Sequence, residues 1–526
     1  MAEYVFGANI LENLTTGMYQ DSKVIYREYI QNSCDQIDKA VQTGILNPGE
    51  GKVEIWLDFK KRSVCIEDNA TGISAALFEK TLGNIADSDK KVGEDKGFRG
   101  IGRLCGLAYC RELIFTSSVK GEDVISIMYC DAMKMRNLID EHVRGKKHTA
   151  SDILHAINRF ETQKTDDIDS HYFRVDLVEI NNENTDLLDF QQIKDYLSFV
   201  APVPYQNSFY YRSDIYKHAN ELGVQIDEYV IALNGEQIFK KYMTILKESS
   251  GNKYDDIFGV YFKDFFDEND ELYAWMWIGL SKFQKNIPKI NQMRSLRLRK
   301  GNIQIGSEDA LQKLFKEDRG NSYYIGEVFA ISKELIPNSQ RDYFNENTAR
   351  AAFECDLRKY FNEELYKVYY NGSAFNSAYK KIDTFEKKES DFQEKEVKGL
   401  FIDKEHRESE YKAILELKNE ADTAQAKIEK IKNSASDLMS KVIDRIEADR
   451  PQELQPKPAK SIEQPVPDKI TPEQPVPDKI TPRTVKLTTY SRGEQKLISK
   501  IFGIILKATD SDTAERIISM IENELQ

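Results

Sequence analysis

The sequence lacks any uninterrupted apolar run near the ~20 residues that a membrane-spanning helix needs. Its opening, "MAEYVFGANILENL", also lacks the basic stretch and long apolar core of a signal peptide. Both absences predict a cytoplasmic chain with no membrane partner. Cysteine is sparse and scattered: Cys34, Cys65, Cys105, Cys110, Cys130 and Cys355 form no CxxC pair and have no histidine at zinc-ligand spacing. Neither a disulfide framework nor a structural metal site is suggested, and the thiols are expected to be reduced. Positive charge is not in surplus either. The formal net charge of −13 argues against a protein that coats nucleic acid over its whole surface, although a local basic patch is compatible with a negative total.

What is present is enough chain for several cores. The 526 residues allow roughly three or four domains, and a hydrophobic share of 40% suffices to fill them. Residues 1–190 alternate helical and strand patterns; in "GKVEIWLDFKKRSVCIEDN" two alternating apolar runs flank a polar turn, as in a hairpin. Residues 191–372 form a second mixed segment, with strands such as "LRLRKGNIQIG" and "YYIGEVFAI" and the helical stretch "NTARAAFECDLRKYFNEELYKVYY". Residues 376–450 turn rich in Lys and Glu, with no proline and almost no glycine, which favours long helices. There Ile414, Leu417, Ala421, Ala424, Ile428, Ile431, Ala435, Leu438 and Val442 recur at alternating steps of three and four. Such a seam, about four heptads long, suggests a coiled coil, within or between chains; a single amphipathic helix packed on its own domain is the alternative.

Residues 451–485 come next as a proline-rich linker containing "EQPVPDKITP" twice, from Glu463 to Pro482. Proline at that density makes a semi-rigid spacer and prevents a packed core. Residues 486–526 predict a helical hairpin with a capping box from Asp512 to Glu515. Its two amphipathic helices are best explained as an association element, or as a docking module.

Chemistry enters in "YREYIQNSCDQIDKA", residues 26–40. Glu28, Asn32 and Asp35 sit at i, i+4 and i+7, which puts them in one stripe of a helix. On this evidence alone a solvated face opposite Tyr26, Tyr29, Ile30 and Ile37 is the plainer reading. Further on, "VCIEDNATGIS" ends a strand at Asp68 and turns at Gly72, placing a carboxylate where it can accept a hydrogen bond from an exocyclic amine. Then "TLGNIADSDKKVGEDKGFRGIGRLCGLAYC" closes with Gly97, Gly100 and Gly102 ahead of an expected apolar helix. Glycines at a helix N-terminus let backbone N–H groups approach phosphate oxygens, although the same spacing also serves tight packing.

These three signals, in this order, resemble the GHKL ATPases, the superfamily of gyrase B, the ninety-kilodalton heat-shock chaperones, histidine kinases and MutL. "LTTGMYQDSKVIYREYIQNSCDQIDKA" and "TLGNIADSDKKVG" are most similar to the heat-shock chaperone branch. The resemblance covers about the first 190 residues clearly and the next 180 more loosely. It implies an α+β protein: an N-terminal GHKL (Bergerat) α/β sandwich, a transducer or middle domain, then the helical segments. It also implies ATP and Mg2+ as ligands. Glu28 would be the general base for the water attacking the γ-phosphate, and Asn32 would coordinate the magnesium. Asp35 would line the adenine side or support the helix. Asp68 would receive the adenine amine, with Gly72 letting the backbone pass close to the base. Gly97, Gly100 and Gly102, with Lys96, would wrap the phosphates as part of a lid over residues 82–96. In "ISKELIPNSQRDYF", Arg341 matches the arginine that senses the γ-phosphate from the middle domain. Its competitors are Arg299 and Lys300 in "RSLRLRK", since other GHKL members use a lysine from this domain.

Two departures stand out. Ala70 in "DNATG" occupies the expected place of the first glycine, and His171 in "SHYFRVDL" stands near a usual threonine. The first requires that backbone position to tolerate a Cβ; the second weakens the expected adenine-side water network, unless His171 is a plain strand-edge histidine. Neither touches Glu28 or Asn32, so hydrolysis is still expected. The resemblance implies a homodimeric clamp that closes on ATP and acts on a protein client. A second expectation comes from the microrchidia-type ATPases, which share the order of ATPase domain, transducer and coiled coil: a duplex-DNA clamp, possible in bacterial defence, supported by Arg294, Arg297, Arg299 and Lys300. A histidine kinase would need its phospho-accepting histidine helix before the ATPase domain, whereas His406 comes after it.

Overall fold

The computed structural model describes residues 6–15, 17, 21–85 and 102–450, with isolated positions between 502 and 521. Lys96, Gly97 and Gly100, most of the expected lid, the repeat linker and nearly all of the expected C-terminal hairpin lie outside the described residues. Both sheets and the long helices belong to one compact unit that ends at Gln455.

The chain opens with α1 (Asn9–Leu14) and the long helix α2 (Val24–Gln42). A hairpin comes next, β1 (Lys52–Asp58) and β2 (Ser63–Asp68), then α3 (Ala75–Gly83). A second hairpin, β3 (Cys110–Ser118) and β4 (Val124–Asp131), leads through α4 (Ala132–Val143) and α5 (Ala150–Ile157) to β5 (Asn158–Lys164) and β6 (Tyr172–Ile180). After α6 (Phe190–Val200) and α7 (Arg212–Glu221), the short strands β7 (Val230–Leu233) and β8 (Glu236–Gln237) return to the same sheet. The strand order is β5-β4-β3-β6-β2-β1-β7-β8. All its pairings are antiparallel except that of β1 with β7. The first sheet therefore draws on residues beyond position 190. Alternation explains its strands: Val53 and Ile55 on β1 and Val64 and Ile66 on β2 face the helical layer and are buried, while their sequence neighbours point away.

The helix α2 is buried along nearly its whole length. Tyr26, Tyr29, Ile30 and Ile37 supply apolar contacts as the sequence suggests, yet Glu28 and Asp35 are also only 6% exposed and Asn32 is half-buried. A solvated acidic face is thereby excluded. Carboxylates placed so deep need partners, because desolvation of an unpaired charge is costly.

A small hairpin, β9 (Ile245–Lys247) and β10 (Lys253–Asp256), precedes a second sheet. That sheet consists of β11 (Gly259–Phe266), β12 (Leu272–Leu280), β13 (Ser295–Lys300), β14 (Ile303–Gln304) and β15 (Ile325–Ala330), ordered β11-β12-β15-β13-β14. Its centre holds a charged cluster with no solvent access. Glu327 receives Arg299 Nε at 2.6 Å and Lys240 Nζ at 3.0 Å, and also the Tyr205 hydroxyl. All three charged side chains are fully buried.

The helical region begins with α8 (Thr348–Tyr360), which runs through a wide turn at Phe361–Leu365 into α9 (Tyr366–Lys398). Then come α10 (Lys404–Asn433) and α11 (Asp437–Ala448). Gly399, with φ of 64°, ends α9 and lets the chain reverse. The α9 and α10 helices lie antiparallel: Lys395 pairs with Glu410 at 2.6 Å, and farther along Lys381 pairs with Glu420 at 3.0 Å. The heptad seam is thus satisfied inside one chain. It is also not continuous, because the helix ends before Ser434–Ser436 and the Ser436 hydroxyl caps α11. Ala424, Ile428, Ile431, Leu438 and Val442 pack into the core of the second sheet.

Candidate nucleotide site

The site forms where α2 crosses the first sheet and meets a loop from the second. Asp68 ends β2 and is only 2% exposed. Its Oδ1 accepts the Ala70 N–H at 3.1 Å. Burial pushes its carboxyl up to about 7, against opposing hydrogen bonds from the Ser33 hydroxyl and from the Ala70 and Phe173 backbone. Ser33 is on α2, so this bond ties the helix to the strand end.

The two departures from the family pattern touch each other. His171 Nδ1 lies 2.8 Å from the carbonyl oxygen of Ala70, so the histidine braces the turn that lacks its first glycine. Gly72 keeps the need for glycine, with φ of 64° and a would-be Cβ only 2.1 Å from the Ser118 carbonyl. The constraint visible there is close packing of the turn on β3, and the Ser117 hydroxyl secures the next residue by accepting the Ile73 N–H at 2.7 Å.

Gly102 opens a seven-residue 3-10 stretch ending at Ala108. The α-helix expected after the glycines is absent: this short tight stretch runs straight into β3. The glycines explain the close approach. A Cβ on Gly102 would sit 2.7 Å from Glu28 Oε2, and one on Gly106 would sit 2.5 Å from the Tyr29 hydroxyl. That hydroxyl donates to the Arg103 carbonyl at 3.0 Å and accepts the Gly106 N–H at 3.1 Å, so the stretch is clamped onto α2.

Glu28 itself lies between two guanidinium groups. Arg27 Nη2 and Arg341 Nε each approach its Oε1 at 3.4 Å. Arg341 stands on the loop after β15, 9% exposed and at a positive φ of 54°. Its N–H bonds the Asn338 carbonyl at 3.1 Å and its own carbonyl accepts the Gly306 N–H at 2.8 Å, which hold the unusual backbone in place. Arg27 also donates to the Gln340 carbonyl at 3.0 Å, joining the two regions by a second route. Arg27 escaped the sequence reading although it adjoins Glu28; the available signal was an arginine in a helix otherwise rich in buried residues. Gln31 was missed as well. It is 1% exposed, three residues past Glu28, and neither end of its carboxamide has a hydrogen-bond partner among the described residues.

The alternatives to Arg341 are committed elsewhere. Arg299 belongs to the buried Glu327 cluster, and Lys300 Nζ donates to the carbonyls of Ile331 at 3.1 Å and Ser332 at 2.5 Å. The basic strand is also not a surface stripe: Arg297 is 4% exposed, lies against the Phe199 ring at 4.3 Å and donates to Gln304 at 2.9 Å, while Arg294 pairs with Glu308 at 3.3 Å.

Residues 20–166 match the family described as histidine kinase-, DNA gyrase B- and HSP90-like ATPase. This region is a GHKL-class ATPase domain, and its likeness points to the HSP90 branch. The chaperone protein HtpG of Coxiella burnetii is 33% identical over 89 residues, which span 16% of this chain and 14% of that chaperone. HtpG of Geobacter metallireducens is 32% identical over 89 residues, again 16% of this chain and 14% of the relative. Among the described residues no helix is long and apolar enough to cross a membrane.

Proposed function

We propose that the N-terminal domain binds ATP with Mg2+ and hydrolyses it, and that nucleotide-driven closure makes this chain a homodimeric clamp acting on a protein client. The contact of Glu28 with Arg341 carries this reading, because it puts the second region's arginine on the very carboxylate that would act as base.

The residues present fit such a ligand. Asp68 is a buried acceptor at a strand end, suited to an amine on a flat base. Asn32, one turn from Glu28, offers a neutral oxygen of the kind a hard cation takes. Gly102 leaves room beside the carboxylate that any side chain would fill. Bound ATP–Mg2+ would supply the phosphoanhydride and the cation that spreads its charge. Glu28 would take the proton of the attacking water. Arg341 would leave Glu28 for the γ-phosphate, since a guanidinium pairs strongly with phosphate oxygens. That exchange would free the base when substrate is present.

The alternative, a microrchidia-like clamp on duplex DNA, drew its support from the basic strand around Arg297 and Arg299. Burial of those two side chains weakens that support, although Arg294 and Lys300 stay partly exposed, and so favours the protein client. The deciding experiment measures ATP binding and phosphate release for the wild type and Glu28→Ala, with and without duplex DNA across a salt series. Turnover lost while binding persists supports the base. Intact turnover sinks it, and DNA binding that falls steeply with salt would restore the second reading.

A further inference from the structure

A cavity of about 230 Å³ opens in the second region, beside the loop that carries Arg341. Its wall is mixed: an aromatic and aliphatic part faces a polar part that includes Gln225, Asp227, Asn302 and Arg341. Trp275 and Phe329, stacked 4.5 Å apart at 8°, form one side, and Leu335, Ile336 and Pro337 form another. Lys300 lines it too. A void of about 150 Å³ already holds benzene in an apolar protein interior, so this one has room for a ring with a short substituent.

Lys300 is an unusual group to find there. Among the described residues its ammonium has only the Ile331 and Ser332 carbonyls as hydrogen-bond partners, and no carboxylate lies within ion-pair distance of it. Burial, with a smaller contribution from the nearby Lys333, pushes it down to about 8. The neighbouring charged groups are satisfied elsewhere: Arg299 by Glu327, and Arg341 by Glu28. A half-buried cation with no carboxylate at ion-pair distance among the described residues, facing an aromatic wall, can take one negative charge from a ligand.

We infer that this cavity is a binding site for a small aromatic carboxylate, its ring against the Trp275–Phe329 wall and its carboxylate on Lys300. The aromatic wall offers the burial energy and the unpaired Lys300 ammonium fixes orientation, the usual division of labour in small-molecule pockets. A plain inorganic anion would leave the aromatic wall unused, and a neutral arene would leave Lys300 unpaired. The cavity adjoins the proposed nucleotide site through Arg341, which lines it, but the ring wall and Lys300 that would hold the ligand belong to the second region alone.

The test is calorimetric titration of the full-length, nucleotide-free chain with phenylacetate, with phenylacetamide and inorganic phosphate as controls. Phenylacetate is expected to bind at least tenfold more tightly than either control. Lys300→Met should erase the preference for the carboxylate over the amide. Ile336→Trp, at a partly exposed position, should fill the cavity and abolish binding while leaving the melting temperature near that of the wild type. The inference is overturned if phosphate binds as well as phenylacetate, if Lys300→Met keeps the preference, or if Ile336→Trp binds normally. Displacement by ADP that grows without saturating would place the ligand in the nucleotide site and overturn it as well.

Discussion

Arg341 Nε lies 3.4 Å from Glu28 Oε1, an ion pair that joins the loop after the second sheet to the helix above the first. The pair is buried at both ends. It ties the arrangement of the two regions to whatever chemistry Glu28 performs. Glu28→Ala is expected to lower ATP turnover by about 10²-fold or more, the usual contribution of a general base, with nucleotide binding retained in calorimetry. Arg341→Ala should also lower kcat while leaving ADP affinity within about twofold, because ADP lacks the phosphate that the arginine would engage. Equal losses of ADP and ATP affinity in Arg341→Ala would assign the arginine a purely structural part.

Asp68 gives a pH signature with a definite sign. Its folded carboxyl titrates at about 7, whereas an unfolded aspartate titrates near 3.9. Between those values the folded chain holds a proton that the unfolded chain has lost, so this residue's contribution to stability is full below about 4 and falls as pH rises to about 7. The loss is on the order of 2–4 kcal/mol. Asp68→Asn should flatten that part of the stability–pH curve in urea melts of the nucleotide-free chain, and should abolish ATP binding. An unchanged slope would mean that the carboxyl is hydrated in solution.

Glu327 supplies the carboxylate that pairs with both Arg299 and Lys240 at the centre of the second sheet. Arg299 and Lys240 hold its carboxyl down at about 2 against the burial that would raise it, so its charge persists at any working pH. Glu327→Gln should destabilise the fold by about 3–5 kcal/mol, the typical result of removing one partner from a buried pair. Loss below about 1 kcal/mol in denaturant melts would show that water reaches the cluster.

Ile428, 1% exposed, sits on α10 against the core of the second sheet. Ile428→Ala should cost about 2–5 kcal/mol, as core truncations of this size do. Because the seam is filled from within one chain, light scattering should give the same mass for this variant as for the wild type. A halved mass would make the seam a subunit contact.

The first domain was legible in the sequence for physical reasons. Period-two alternation marks β1 and β2, since one face of that sheet is buried. The spacing of Glu28, Asn32 and Asp35 is a local property of any helix, so their common face needed no tertiary information. The glycine at 72 announced a turn that only a residue free at positive φ adopts readily. The helical region was legible in part: composition and heptad spacing mark the helices, but not the interruption at Ser434–Ser436 that separates α10 from α11.

What composition and spacing left open was decided by packing between segments distant in the chain. Whether the acidic stripe is wet or buried depends on the 3-10 stretch and the Arg341 loop that cover it, and nothing within α2 records their approach. The same holds for "RSLRLRK", which local patterning presents as a basic surface. Glu327 and Phe199, supplied by remote segments, turn it inward. The heptad seam likewise had two possible partners of equal local merit, and the reversal at Gly399 brought α10 back onto its own chain. Periodicity fixes which side chains share a face; only the folded chain decides what that face meets, because desolvation and pairing energies exist only once the distant partner has arrived.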